Sequence, residues 1–155
     1  GRDGVADDPA GDDILQGGEG SDTLQGDEGN DELSGTDSTS RGRGERDRLE
    51  GGSGSNIFYL GDQTSAYYLD LNAGIVSFAH IVDFKLQDKL ALYRTDAMRV
   101  VRNDRINGID GTGTSIYSGN DLIAFIQGDT AAINSIDLDD QNRIIHKQIA
   151  SLTRN

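Results

Sequence analysis

Large apolar residues in the N-terminal part of the chain recur at intervals of nine positions, a spacing typical of neither a helix nor a long strand. Leu15, Leu24 and Leu33 are evenly spaced, and Leu49 and Phe58 resume the interval after a gap. Each lies in a three-residue segment with mostly polar neighbours, and side chains alternate faces along a strand. Each segment therefore predicts a short strand with one inward residue. Strands this short bury a core only by stacking, so the repetition predicts an all-β fold built as a parallel β-roll.

The residues between these strands follow a template rich in glycine and aspartate, GGxGxDxUx, in which U is a large apolar residue. Residues 17–25, GGEGSDTLQ, fit it at every position. The imperfect copies lie at residues 8–16, 26–34, 42–50 and 51–59, with an insertion at 35–41. Because each repeat forms half a turn of a flattened coil, repeats two apart lie above one another. The residues at the sixth position are therefore predicted to stack in pairs: Asp13 with Asp31, Asp22 with Asp47, and Asp31 with Asn56.

These turns have the chemistry of a site for a hard cation. Glycine adopts backbone conformations that other residues resist, so carbonyl oxygens of the turns can converge on one point. Carbonyls from two stacked turns and one carboxylate from each form a cage of about six oxygens, whose flexible geometry favours Ca²⁺ over Mg²⁺. The pairs predict roughly two to three Ca²⁺ ions, with Asp62 or Asp83 as contributors to an additional one.

Charge supports a metal-dependent fold, because the acidic residues are concentrated in the repeats. The chain carries 14 Lys plus Arg and 27 Asp plus Glu, a net charge of −13. Residues 1–59 hold fifteen acidic and five basic residues, a net charge of −10, and residues 60–155 have a net charge of −3. Without a cation the stacked carboxylates repel one another, and a segment so rich in glycine and charge has the composition of disorder. An ion-triggered fold is therefore expected for residues 8–59.

Composition and motifs also argue against several classes of function. There are no cysteines, so a metal is the available cross-link. No apolar run has the length of a transmembrane helix, and the net charge argues against nucleic-acid binding. The sequence contains no HExxH, GxSxG or GxxxxGK[ST] motif, and the two histidines, His80 and His146, are far apart in the sequence. A non-catalytic module is expected.

Residues 60–142 lack the repeat and predict ordinary antiparallel β structure. Short strands are predicted at 81–84, 89–93, 98–102 and 122–127, the last being the most buried. Asn107-Gly108 is a hairpin signal of the type I′ kind. The predicted organisation is a linker at 1–7, the roll at 8–59, an antiparallel β-sheet or sandwich at 60–142 that caps the roll and is continuous with it, and a tail at 143–155.

The nonapeptides and the segment HIVDFKLQDKLALY, residues 80–93, resemble RTX (haemolysin-type) calcium-binding β-roll modules. The segment is similar to the one that follows the last nonapeptide in the C-terminal modules of serralysin-type proteases and in the R modules of mannuronan C5-epimerases. The pairing of this nonapeptide with calcium is known for RTX proteins and is carried over here. The resemblance implies a non-catalytic module that folds on calcium after type I secretion.

The resemblance also implies which oxygens bind calcium. The side-chain ligands would be Asp13, Asp22, Asp31, Asp47 and Asn56. The backbone carbonyl ligands would come from Gly11, Gly17, Gly18, Glu19, Gly20, Gly26, Glu28, Gly29, Gly51, Gly52, Ser53 and Gly54.

Several positions depart from the template. Pro9 and Asp27 replace the second glycine, Glu45 replaces the glycine at the fourth position, and Asn56 replaces the aspartate at the sixth. Asn56 offers an oxygen without a charge. The side chain of Glu45 is expected to oppose the backbone conformation that presents a carbonyl.

The interrupted repeat is unusually basic for this acidic chain, with Arg41, Arg43, Arg46 and Arg48. One interpretation is a contact for a polyanion such as alginate. The other is a solvated loop whose arginines offset nearby acidic residues.

Two functions from different classes remain open. The first is a structural calcium-binding module of a larger secreted bacterial protein, which folds outside the cell and supports an upstream domain. The second is an auxiliary module of an extracellular carbohydrate-active enzyme, which binds an acidic polysaccharide as an alginate-type R module would. Both place the chain outside the cell, and both expect further chain before Gly1, which is not a start methionine.

Overall fold

The computed structural model of the chain describes residues 4–5, 10–62, 64–70, 77–85, 87–93, 98–127 and 144–148, with the backbone alone for 4–5 and 144–148. The strands of these residues are β1 (Gly4–Val5), β2 (Ile14–Gln16), β3 (Thr23–Gln25), β4 (Glu32–Ser34), β5 (Arg46–Glu50), β6 (Ile57–Tyr59), β7 (Phe78–Ile81), β8 (Lys89–Tyr93), β9 (Met98–Asp104), β10 (Gly113–Ser118), β11 (Asp121–Gln127) and β12 (Ile144–Gln148). Most of the predicted linker, Pro9 and residues 128–143 lie outside the described residues.

The strands form two sheets that are wound together by the repeats. A seven-stranded sheet has the order β1-β3-β5-β7-β11-β10-β9, and a five-stranded sheet has the order β12-β8-β6-β4-β2. From β2 to β8, consecutive strands alternate between the two sheets, and each strand from β2 to β6 pairs in parallel with the strand two places on. The chain therefore runs as a flattened coil. The predicted all-β fold with a parallel β-roll is confirmed.

The inward residues of the coil form a continuous core. Leu24, Leu33, Leu49 and Phe58 are fully buried, and Leu15, in the first described turn, is 9% exposed. Parallel register places Leu24 beside Leu49, and Leu33 between Leu15 and Phe58. Burying a side chain of this kind contributes about 1.5–3 kcal/mol. Four of these strands have three residues each and contribute only the central side chain to this core, while the neighbours on either side are exposed or half-buried.

The parallel coil continues past residue 59, where the sequence predicted that antiparallel structure would begin. β7 pairs in parallel with β5, and β8 pairs in parallel with β6. Ile81 lies opposite Leu49, and Leu90 lies opposite Phe58, so both extend the ladder of inward side chains. The connections before β7 and β8 are longer than a glycine turn. The nine-residue interval is lost at these connections, although the inward residues of the strands remain buried. The prediction that antiparallel structure begins at residue 60 was wrong because it relied on that interval.

Antiparallel structure begins after β8. The strands β9, β10 and β11 pair antiparallel, and β11 joins this group to the coil by parallel pairing with β7. The residues from Leu122 to Ile126 are all buried, as predicted for this segment. β12, within the predicted tail, pairs antiparallel with β8. The turn at Asn107-Gly108 is not of type I′, because only Gly108, with φ of 91°, adopts the left-handed conformation that type I′ requires at both positions.

A second, smaller core forms where β11 meets β7. It contains Phe78, Ile106, Leu122 and Phe125. His80 lies beside it, with its ring centroid 5.9 Å from that of Phe125, and its Nε2 donates a hydrogen bond to Gln127 Oε1 at 2.6 Å. Burial lowers the pKa of His80. This histidine therefore ties two strands together.

Within the described part of the chain there is no helix with the length and apolar character needed to span a membrane.

Candidate functional site

The glycine turns stack in two columns, one on each edge of the coil. The first edge contains the turns that lead into the five-stranded sheet and end at Asp13, Asp31 and Asn56. The second edge contains the turns that lead into the seven-stranded sheet and end at Asp22 and Asp47. The three stacking pairs predicted from the sequence are therefore brought together by the fold.

A ladder of hydrogen bonds links the sixth positions within each column. Oδ1 of Asp31 accepts from the Asp13 amide, Oδ1 of Asp47 accepts from the Asp22 amide, and Oδ1 of Asn56 accepts from the Asp31 amide, each at 2.8 Å. Asp22, Asp31, Asp47 and Asn56 are all buried. Oδ1 of Asp31, Asp47 and Asn56 therefore joins successive turns, and the other terminal atom of each of these three side chains lies beside the first glycine of its own turn.

The ladder of the first edge has a further member that sequence reasoning missed. The Asn56 amide donates to Asp88 Oδ1 at 2.8 Å, and Asp88 is fully buried. Asp88-Lys89-Leu90 repeats the D-x-U spacing of the template, with Leu90 as the inward residue. That local pattern was a signal for the continuation of the column, although no glycines precede it.

The turns owe their shape to left-handed residues at the second and fourth positions. In the regular repeats these are Gly18 and Gly20, Asp27 and Gly29, and Gly52 and Gly54. Asp27 adopts φ of 69°, which aspartate tolerates better than most side chains. The replacement of the second glycine by Asp27 therefore leaves the turn conformation intact.

The interrupted repeat has its extra residues inside its turn. Gly35 packs against the carboxylate of Asp47 in the same way as Gly17 packs against the carboxylate of Asp22. Gly35 is thus the first position of this repeat, and the turn runs from Gly35 to Asp47. At Glu45, the fourth position, the backbone is not left-handed. The Glu45 carbonyl accepts instead from the Phe78 amide at 3.1 Å, and its side-chain Oε1 accepts from the Gly20 amide at 2.7 Å.

The first edge holds a donor set that fits a cation. Oδ2 of Asp13 and Oδ2 of Asp31 are buried and have no hydrogen-bond partner among the described residues. Burial raises the pKa of Asp31, the hydrogen bond from the Asp13 amide lowers it, and the negative charges of Asp13, Asp12 and Asp27 raise it further. Buried carboxylate oxygens of this kind are costly unless a proton or a cation compensates them. The two aspartates and the carbonyls of their turns therefore suit Ca²⁺.

Carboxylates alone do not complete such a site. Among the described residues, no three Asp, Glu or His side chains converge in a way that could hold a metal ion. A cation at this edge would therefore need further oxygen ligands besides the two carboxylates.

On the second edge, the second carboxylate oxygen of Asp47 accepts a hydrogen bond from another side chain. Tyr68, which is fully buried, donates a hydrogen bond from its hydroxyl to Asp47 Oδ2 at 2.7 Å. Burial raises the pKa of Asp47 to about 7, and the hydrogen bonds from Tyr68 and from the Asp22 amide lower it. Tyr68 has φ of 64°, an unusual value for a large side chain, and the Arg41 carbonyl accepts from its amide at 2.8 Å. The sequence contained no signal for this contact.

Both aspartates named as additional contributors are engaged within the protein. Asp62 Oδ1 accepts from the amides of Thr64 and Ser65, and its Oδ2 lies 3.2 Å from Arg41. Asp83 accepts from the amides of Gly51 and Gly52, at 2.8 and 2.7 Å.

The four arginines of the interrupted repeat do not form one patch. Arg41 pairs with Asp62, and Arg43 is exposed in the turn. Arg46 and Arg48 are both exposed on β5 and, two residues apart, project from the same face. The Arg46 guanidinium lies 5.1 Å from the centroid of the Phe78 ring, and Arg48 pairs with Glu50 at 3.1 Å.

Comparisons with known proteins agree with this geometry. The family model of the RTX calcium-binding nonapeptide repeat (4 copies) matches residues 10–39 and 34–64. Among solved structures, the chain is similar to the AlgE6R3 subunit from the Azotobacter vinelandii mannuronan C5-epimerase. The TM-score is 0.50 at 25% sequence identity, and the match covers 92% of this chain and 77% of that chain. No curated protein matches.

Proposed function

We propose, from the premise that residues 10–64 carry RTX calcium-binding nonapeptide repeats, that this chain is a non-catalytic module that folds when its turns bind calcium. The observation that carries the proposal is a pair of buried carboxylate oxygens on stacked turns, Oδ2 of Asp13 and Oδ2 of Asp31, which have no hydrogen-bond partner in the part of the chain that the structure describes. Oδ1 of Asp31 accepts in the ladder, and the turn of Asp31 contains the left-handed residues Asp27 and Gly29. The proposed complement is roughly two to three Ca²⁺ ions.

The residues of the turns would act in two ways. Asp13, Asp22 and Asp31, with carbonyls of the GGxGx segments, would hold the ions between stacked turns. Bound calcium supplies the positive charge that offsets the stacked carboxylates. The ladder bond to Oδ1 of Asp31 orients that carboxylate so that its Oδ2 lies beside Gly26 of its own turn.

We further propose that the module belongs to a larger secreted bacterial protein, exported by type I secretion, in which it supports an upstream domain. Extracellular calcium modules have dissociation constants of about 10⁻⁴–10⁻³ M. At such affinity the acidic repeats would stay open at cytosolic calcium concentrations and would close outside the cell. The concentration of negative charge in residues 1–59 supports this proposal.

The substitution Asp31→Asn tests the calcium sites. Asparagine keeps an oxygen for the Asp13 amide but replaces the unpartnered Oδ2 by an N–H donor and removes a charge. Because even changes to partners of metal ligands typically cost 10–100-fold in affinity, we expect calcium affinity to fall by about tenfold or more. Isothermal titration calorimetry with CaCl₂ measures it directly.

The matched control is Asp104→Asn, which removes the same charge from β9, away from both edges. Its calcium affinity should stay within about twofold of the wild type, since long-range charge effects are screened at physiological salt. An equal loss in the two variants would show that overall charge, and not a site at Asp31, governs calcium binding.

A second function, binding of an acidic polysaccharide, is favoured by Arg46 and Arg48. They are exposed side by side on one face of an otherwise acidic coil, and the similar solved structure belongs to a mannuronan C5-epimerase. Such a face would place two guanidinium groups against carboxylates along a polymer. The module would then keep an upstream carbohydrate-active enzyme on its substrate.

Titration with oligo-alginate at millimolar calcium tests this second function. Amide shifts should follow β5 and its neighbours, and the double substitution Arg46→Gln with Arg48→Gln should abolish them. The control, Arg102→Gln with Arg105→Gln, removes the same charge from exposed positions at β9 and should leave the shifts unchanged. Silence of β5 in the wild type would refute polysaccharide binding there and would leave the calcium function untouched.

A further inference from the structure

The last glycine turn of the first edge, residues 51–56, is contacted by a positively charged side chain of the protein itself. Lys85 Nζ lies 2.7 Å from the Gly52 carbonyl oxygen, 3.2 Å from the Asp83 carbonyl oxygen and 3.3 Å from Asp83 Oδ2. An ammonium group has three donors and no acceptor, so its requirements match these three oxygens. The Gly52 carbonyl is one of the oxygens predicted from the sequence to bind calcium. Here it is used by a lysine.

Asn56 directs a second donor at the same carbonyl. In the upstream repeats a carboxylate oxygen lies beside the first glycine of the turn, as Asp31 Oδ2 lies beside Gly26. Beside Gly51 the corresponding atom is Asn56 Nδ2, which donates to the Gly52 carbonyl at 3.5 Å. The orientation of the amide is fixed because Asn56 Oδ1 accepts from the Asp31 amide. A donor therefore stands where a bound cation would need an oxygen.

The loop that carries Lys85 is locked onto this turn. Asp83 accepts from the amides of Gly51 and Gly52, and Asp88 accepts from the amides of Asn56 and Lys85 at 2.8 Å each. The bonds of Asp83 and Asp88, on either side of the lysine in sequence, hold this loop against residues 51–56. The position of the ammonium group is thus set by the backbone of the loop as well as by its own contacts.

We propose that Lys85 is a built-in substitute for a calcium ion, closing the coil between the turns at 51–56 and 82–88 without a metal. The inference rests on the proposed function, because it takes the upstream turns to be calcium sites. It means that calcium is confined to turns upstream of Gly51. It also means that this end of the coil keeps its structure when calcium is scarce.

The test counts the calcium ions taken up on folding. At concentrations well above the dissociation constant, the slope of the unfolding free energy against the logarithm of calcium concentration gives that number. The double variant Lys85→Met with Asn56→Asp removes both donors and supplies a carboxylate, so its slope should exceed that of the wild type by one ion. The matched control, Lys89→Met with Asn56→Asp, has the same charge but retains Lys85, and its slope should equal that of the wild type.

Each outcome is decisive. Equal slopes in the wild type and the Lys85 variant would overturn the inference and leave upstream calcium binding intact. A gain in both variants would also overturn it, because Asn56 alone would then exclude the ion. A wild-type slope of zero would instead overturn the proposed function.

A second measurement needs no variant. In calcium-saturated wild type, NMR of ¹⁵N-labelled lysine side chains should show the Lys85 ammonium ordered, with contacts to Gly52. A Lys85 ammonium that behaves as in the unfolded chain would overturn the inference.

Discussion

Removal of calcium with EGTA is expected to unfold the repeats upstream of Gly51, residues 10–50, and calcium at about 10 mM is expected to refold them. At a dissociation constant of about 10⁻⁴ M this concentration stabilises the folded state by about 2.7 kcal/mol for each ion. Several ions together therefore account for a large share of the 5–15 kcal/mol that a domain usually has. Without the ions the stacked carboxylates repel one another, which opposes folding of strands that mostly bury a single side chain.

Circular dichroism and amide NMR measure this transition. The NMR signals of residues 10–50 should collapse into the unfolded range in EGTA, while those of β9 to β11 should persist, since their core contains few acidic residues. The control is magnesium at the same concentration, which should not restore the signals because it requires stricter octahedral geometry. Native signals for the repeats in EGTA would contradict calcium-dependent folding.

The same carboxylates give the calcium-free state a characteristic pH dependence. Burial raises the pKa of Asp47 to about 7 and also raises the pKa of Asp31 and Asp88. A folded state with raised carboxylate pKa values binds more protons than the unfolded state, so its stability falls as pH rises. The window begins near the ordinary aspartate pKa of 3.8 and extends to about 7. In EGTA the repeats should therefore be more ordered at mildly acidic pH than at pH 8.

The substitution Gly54→Ala is expected to destabilise the calcium-bound protein by about 2–5 kcal/mol. A left-handed alanine costs about 1–2 kcal/mol, and overpacking adds about 1–3 kcal/mol. Gly54 has φ of 92°, and a Cβ there would collide with the Gly29 carbonyl group of the turn above. The collision also displaces a carbonyl of the proposed site, so calcium affinity should fall with stability.

Gly108→Ala is the matched control. Gly108 has φ of 91°, almost the same conformation, but a Cβ there would have no atom within 4 Å. It should therefore show only the conformational cost of about 1–2 kcal/mol and no loss of calcium affinity. Urea unfolding at a fixed calcium concentration measures both variants, and similar losses in the two would show that the turns are not packed as closely as described.

The parts of this fold that follow a fixed interval could be predicted from sequence. The stacking of Asp13 on Asp31 and of Asp22 on Asp47 follows directly from a repeat of nine, because two half-turns return the chain to the same edge. The RTX nonapeptides predicted from these residues are confirmed by the family match at residues 10–64. Which oxygens hold calcium, and how many ions, remains a prediction.

The contacts that sequence reasoning missed join the repeats to irregular connections. Tyr68 reaches Asp47, and Lys85 reaches Gly52, from segments that have no period to define where they return to the coil. Nothing local predicts a left-handed tyrosine. Asp88 is different, because its D-x-U spacing can be read from the sequence. It was missed because no glycines precede it. A periodic sequence thus predicts the contacts between repeats. The contacts that the non-repeating segments make with the coil depend on long-range packing and could not be predicted.

The side-chain hydrogen bonds in the ladder of the first edge all run in the same direction along the chain. In every rung the amide belongs to the earlier turn, and the oxygen that accepts from it belongs to the later one, from Asp13 to Asp31, Asn56 and finally Asp88. The amide at the sixth position of a turn is therefore paired only while the following turn is in place. Local opening of one turn should thus expose the sixth-position amide of the turn before it to hydrogen exchange, even though backbone bonds of the opposite sense, such as that from the Glu32 amide to the Asp13 carbonyl, still define the earlier turn.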